Sequence, residues 1–296
     1  MIHGIINVYK EKGFTSHDVV AKLRGIVGQK KIGHTGTLDP DAEGVLPVCL
    51  GKATKVCDML TDSDKVYRAV MQLGIETDTQ DLTGTVLSAC EVPVLTETEI
   101  RDVIRTFQGE IMQVPPMYSA LKVNGHKLCD LARRGIEVER KPRPATISRL
   151  ELVSFDGTDG VLDVDCSGGT YIRTLINDIG ESVCTGAVMT SLCRTKSCGF
   201  TLEQCHELDE VRNASPERLE KWLLPVSELF APLPEIPLDE VQTRMYLNGV
   251  RLDAERLLKR APVDELARVT AGGEFLGVGK INAEGELVSI KQFRSE

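Results

Sequence analysis

The residues best suited to chemistry gather in Gly33–Pro47, GHTGTLDPDAEGVLP, where His34, Asp39, Asp41 and Glu43 stand among glycines and prolines. Gly33, Gly36 and Gly44 reach backbone shapes closed to other residues, while Pro40 and Pro47 restrict the chain. Such a loop can be rigid without any helical or strand period, and a rigid loop can aim one side chain. Asp39 is the best candidate, because Pro40 behind it biases it toward extended backbone. Two readings stand at this point: an aimed carboxylate, or an Asp-Pro turn whose carboxylate caps its own backbone. An imidazole at His34 would suit stacking on a base, contact with phosphate or proton transfer.

A second stretch, SGGTYIRTL at Ser167–Leu175, places Arg173 in the first turn of an expected helix. A cation there is unfavourable by about 0.3–1 kcal/mol when exposed, since that end of the helix is positive. A carboxylate or phosphate partner would offset this; a solvent-facing Arg at a frayed end is the plain alternative. Tyr67 in DKVYR, with Tyr118 and Tyr171, reads either as half-buried core or as a stacking platform for a base.

These residues need elements to hold them. Gly4–Val8 reads as a strand and Thr15–Val27 as a helix, with Val19, Val20, Leu23, Ile26 and Val27 at helical spacing and Gly28 as its stop. Thr15 and Asp18 have capping-box spacing, with Asp in place of Glu or Gln. From Lys65 to Ile75 alternation puts Tyr67, Ala69, Met71 and Leu73 on one strand face. Ile100, Val103, Ile104 and Phe107 mark a helix ending near Gly109, and Val161–Cys166 reads as a strand. Ile172, Leu175, Ile176, Ile179 and Val183 again repeat at helical spacing. APLPEIP, Ala231–Pro237, reads as a linker to a β-rich module with short strands in Arg268–Phe293. Strands and helices mix without a βαβ rhythm, which predicts an α+β fold with a mixed, mostly antiparallel sheet.

The chain of 296 residues carries a net charge of −9, which by itself speaks against a polyanionic partner. The distribution says otherwise. Residues 1–35 hold six Lys/Arg and two acids, residues 122–149 eight and three, so the remainder carries −18. Two basic segments on an acidic body point to a local polyanion contact or, equally, to solvated charged faces. No apolar run is long enough for a membrane span and the start lacks a signal-peptide pattern, so a cytoplasmic location is expected. Nine cysteines, an odd number without a CxxC pair, argue against a disulfide framework. Cys193, Cys198, Cys205 and His206 match no common zinc spacing, so no metal is expected.

Taken together, GHTGTLDPDAEGVLP, DSDKVYR, MYSALKVNGHKL and SGGTYIRTL resemble, in order and over about Gly4 to Cys198, the TruB family of tRNA pseudouridine synthases. One departure is Glu11 in Lys10-Glu11-Lys12-Gly13, where the family usually has proline. The resemblance implies isomerisation of uridine-55 in the tRNA T-loop by base flipping, without metal or redox cofactor. It implies Asp39 as the essential carboxylate, paired with Arg173. Tyr67 would stack on the base, Tyr171 would share the pocket, Leu192 would form an apolar wall and His34 would touch the RNA. It implies a catalytic domain over 1–232, with a basic RNA-covering insertion about 116–145, and a small PUA-like domain over 238–296. Lys10, Lys122, Lys127, Arg133, Arg134 and Lys141 are the expected backbone contacts. A monomer acting on the tRNA T-stem-loop without a protein partner is expected. An RNA-binding protein without turnover, and a synthase guided to another RNA, are the competing readings.

Overall fold

A computed structural model describes residues 1–293. Its centre is a nine-stranded sheet. The main path runs Gly4–Lys10, Glu43–Leu50, Ala187–Ser197, Lys65–Leu73, Asp159–Cys166, Arg143–Phe155 and Gly109–Gln113, with Ile32–His34 and Phe200–Thr201 as side partners. All pairings are antiparallel except the one joining Glu43–Leu50 to Ala187–Ser197. The mixed, mostly antiparallel α+β architecture expected from the sequence is the one observed.

Alternation explains the central strand. Tyr67, Ala69, Met71 and Leu73 are buried on one face of Lys65–Leu73. That face packs on helix Ile172–Ser182 through Leu175, Ile176 and Ile179, with Ile100 and Ile104 of helix Glu97–Arg105 joining the same core. Each such aliphatic side chain contributes roughly 1.5–3 kcal/mol when removed from water. A second core lies under helix Ser16–Val27, whose Val19, Val20 and Leu23 cover Ile6, Val8, Leu46 and Val48. Thr15 and Asp18 form the capping box, and Gly28 ends the helix in the left-handed region at φ 69°.

Two expectations need correction. Gly33–Pro47 is not loop throughout: Ile32–His34 and Glu43–Leu50 are strands, and only the segment between them is irregular. Pro47 is tolerated inside the sheet because its carbonyl accepts from Thr35 N–H, so its missing donor faces that same side. There the partner strands change over, with His34 opposite Val48 and Arg194 opposite Gly44. Nor is Ala231–Pro237 wholly a linker. Glu235–Pro237 pairs in parallel with Leu266–Ala271 as the edge of a five-stranded sheet that continues through Glu274–Ile281, Glu286–Gln292 and Leu252–Asp253. The prolines that read as punctuation flank Ile236, which is fully buried.

Residues 116–145 leave the sheet as a small excursion. Lys122–Val123 and His126–Lys127 form a hairpin that leads into helix Leu128–Ala132. Asn124 and Gly125 both have positive φ, 50° and 83°, as a type I′ turn requires. Asn-Gly is the pair that favours such a two-residue hairpin turn.

Candidate active site

Asp39 stands at the tip of a loop tied down from several sides. Leu38 N–H donates to Ser16 Oγ at 2.9 Å, Gly13 N–H to Pro40 O at 2.9 Å and Ala42 N–H to Asp39 O at 3.1 Å. The wholly buried Arg194 donates from Nε to Val45 O at 2.8 Å and from Nη2 to Gly36 O at 3.2 Å, clasping both shoulders of the loop. Gly44, at φ +105°, lies so close that a Cβ there would stand 2.3 Å from Arg194 O.

Lys10 belongs to this scaffold rather than to an RNA surface. Its ammonium is fully buried and donates to the carbonyls of Glu11, Pro40 and Ala42. Three carbonyls satisfy the three donors of an ammonium, so none is left for a phosphate. Burial pulls its pKa down to about 8, which still leaves it mainly protonated at neutral pH. The expectation of a backbone contact at Lys10 is therefore corrected.

Arg173 lies in the first turn of helix Ile172–Ser182 and is 5% exposed. Nε is 3.0 Å from Asp39 Oδ2; Nη1 donates to Thr79 O at 2.8 Å and Nη2 to Tyr118 O at 2.9 Å. Asp81 Oδ2 lies 3.8 Å from Nη1. These partners offset the unfavourable position of a cation at a helix N-terminus. Burial pushes the Asp39 carboxyl above the usual carboxylate range; Arg173 opposes the rise and Asp81 adds to it.

Asp39 opens into a cavity of about 250 Å³, smaller than the range usual for drug-sized ligands and suited to a single ring. Tyr67, Tyr171, Leu192 and Lys65 line it with Asp39 and Arg173. Tyr67 comes from the central strand, directly across from Arg194, and burial pushes its phenol up while Arg194 opposes. Tyr171 caps the Arg173 helix, its peptide gripped at both ends by Gln113: N–H to Oε1 at 3.0 Å and O from Nε2 at 3.1 Å. Lys65 Nζ donates to Thr61 O and Ser63 O at 2.8 and 2.6 Å. Asp81, Gln113, Lys65 and Arg194 had not been singled out; their roles depend on contacts between distant segments.

Of the sequence-proposed residues, Asp39, Tyr67, Tyr171, Arg173 and Leu192 share this cavity. His34 lies behind Gly36 in a neighbouring cleft, its ring 5.3 Å from that of His17. Burial lowers its pKa to about 4, so it is neutral at physiological pH. Lys127 and Arg133 line a wider groove of about 630 Å³ that also reaches Asp39. Lys122, Arg134 and Lys141 are exposed elsewhere on the excursion. All nine cysteines are free thiols.

Residues 24–172 match the family model described as TruB family pseudouridylate synthase, N-terminal domain. Residues 173–231 match the tRNA pseudouridylate synthase B C-terminal domain, and 234–290 match pseudouridine synthase II TruB, C-terminal. The chain belongs to the TruB family. It is therefore a pseudouridine synthase, an isomerase. It is 44% identical over 287 residues to tRNA pseudouridine synthase B of Clostridium perfringens strain 13, covering 96% of this chain and 97% of that one. The Clostridium tetani protein of the same name is 41% identical over 284 residues, covering 96% and 97%. Among solved structures, this TruB-family chain superposes on one in an H/ACA RNP bound to a substrate RNA containing 2′-deoxyuridine, with TM-score 0.75 and 25% identity over 99% of this chain and 85% of that one. A Cbf5-Nop10-Gar1 complex gives TM-score 0.75 and 28% identity, covering 98% and 84%.

Proposed function

We propose that the protein converts uridine-55 in the T-loop of tRNA to pseudouridine, with Asp39 as the essential catalytic carboxylate. The observation that carries this reading is the Asp39–Arg173 pair at 3.0 Å beside a one-ring cavity bounded by Tyr67 and Leu192. The tRNA substrate is supported by the relatives named tRNA pseudouridine synthase B, and the position by the motif resemblance.

The bond C1′–N1 breaks, the uracil turns, and C1′–C5 forms; C5 loses a proton and N1 gains one. Electrons balance without an oxidant, so no redox cofactor is called for. A stacked base must first leave its stack at a cost of a few kcal/mol. Stacking on Tyr67, worth about 1–3 kcal/mol, offsets part of that. Asp39 acts at the sugar or the base, while Arg173 holds it ionised and aimed against the pull of burial. Tyr171 and Leu192 confine the turning ring. The reading divides the molecule into a catalytic unit over 1–232, whose 116–145 excursion folds over the RNA, and a PUA-like RNA-binding module over 238–296. It acts as a monomer in the cytoplasm, without a guide or protein partner.

The test is incubation of the purified chain with an unmodified tRNA transcript, followed by mapping of pseudouridine. Product at position 55 is expected; product elsewhere, or none without an added guide RNA, overturns the assignment. Asp39→Asn is expected to abolish product while tRNA affinity stays within about tenfold, roughly 1.4 kcal/mol. Turnover by that variant would remove Asp39 from the role.

A further inference from the structure

The basic N-terminal segment loses Lys10 to the scaffold, and its remaining charge has a definite place. No acid lies between Val19 and Leu38, a stretch that carries Lys22, Arg24, Lys30 and Lys31. The fold brings Arg24, Lys30 and Lys31 together with His17 and His34 around a cleft of about 480 Å³ that no carboxylate lines. None of these three cations forms an ion pair among the described residues; Arg24 only donates to Ile32 O at 3.3 Å.

The groove on the excursion side differs. Lys127, Arg133 and Arg173 share it with Asp39, Asp41, Asp78, Asp81 and Asp130. Within it Arg133 is 3.5 Å from Asp130 and Arg173 3.0 Å from Asp39. Its positive charge is largely answered from within the protein, whereas that of the other cleft is not. The two sites are neighbours: Gly36, which lines the Asp39 cavity, donates its N–H to Nδ1 of His34 at 3.3 Å. On a chain of net charge −9, an unanswered cationic cleft at the shoulder of the catalytic cavity is where a polyanion gains most.

We infer that the Arg24–Lys30–Lys31 cleft binds the phosphate backbone of the RNA adjoining the nucleotide held at Asp39, and that it contributes more to the electrostatic attraction than the excursion does. The inference rests on the RNA-modifying function proposed above. His34, neutral through burial, lines the cleft and is joined to the Asp39 cavity through Gly36.

The experiment measures the Kd for unmodified tRNA across a potassium chloride series. For Lys30→Gln/Lys31→Gln the slope of log Kd against log salt should fall by about 1.4–1.8, two phosphate contacts at about 0.7–0.9 each. The charge-preserving Lys30→Arg/Lys31→Arg should keep the wild-type slope. Lys127→Gln/Arg133→Gln should lower the slope by less. An unchanged slope in Lys30→Gln/Lys31→Gln, or a larger fall in Lys127→Gln/Arg133→Gln, overturns the inference while leaving the catalytic reading intact. Wild-type protein that neither binds nor modifies tRNA overturns both.

Discussion

At the scale of single residues, the site is governed by charges held out of water. Asp39 is lifted above the ordinary carboxylate range by burial and by Asp81, and Arg173 restrains the rise. The acid limb of activity should therefore lie above the usual carboxylate midpoint of about 3.9. Removing the cation with Arg173→Met should move that limb further up in a kcat-against-pH profile. An unmoved limb would show that the pair does not control the carboxyl. His34 supplies a stability test with a definite sign. Its folded pKa of about 4 lies below the ordinary 6.5, so between those values the unfolded chain binds a proton that the folded chain refuses. That stability is fully present above about pH 6.5 and is lost as pH falls toward about 4. Thermal melts should show His34→Gln flattening this acid decline; an unchanged decline would place its origin elsewhere. Lys10 shows what residue types alone could not reveal. Its sequence context reads as one more surface cation, and only the convergence of three carbonyls identifies it as internal.

At the scale of elements, legibility followed locality. The Thr15–Asp18 capping box, the alternation in Lys65–Leu73 and the apolar spacing of helix Ile172–Ser182 depend on neighbours within a few residues, and each could be read directly. The strand shoulders of the Asp39 loop were missed because Pro47 reads as a breaker. Only the changeover of its partner strands makes a missing donor harmless. The Asp39–Arg173 pairing came from resemblance, since no spacing rule links the two segments. Ser16 joins helix to loop by receiving Leu38 N–H. Ser16→Ala leaves that buried donor without its acceptor and should cost about 1–3 kcal/mol in denaturant unfolding, with a parallel loss of activity. Gly44→Ala should be worse, because its Cβ meets Arg194 backbone and its φ disfavours any side chain. Wild-type melting and turnover in that variant would show that the loop adjusts freely.

At the scale of the whole molecule, the two sheets are not independent. Val278 and Phe293 of the C-terminal module pack with Ile5, Cys49, Ala53, Val56 and Phe230 in one apolar cluster, joined by Phe275. Removing 238–296 should expose this cluster and lower the melting temperature of the remainder. An unchanged melting temperature would mean that the cluster contributes little to the larger sheet. No helix among the described residues is long and apolar enough to cross a membrane.

The single parallel pairing in the large sheet also has a consequence during synthesis. It joins the strand that leaves the Asp39 loop to the strand carrying Arg194, and Arg194 clasps that loop from across the chain. At about 5–20 residues per second, a ribosome adds Arg194 roughly eight to thirty seconds after Asp39. Until then the loop lacks its clasp, Tyr67 lacks one of its two cross-strand partners and, for most of that interval, Asp39 lacks Arg173. A nascent chain carries Asp39 long before it carries the residues that pair with it and fix its loop, so the pocket is completed in one late step of translation.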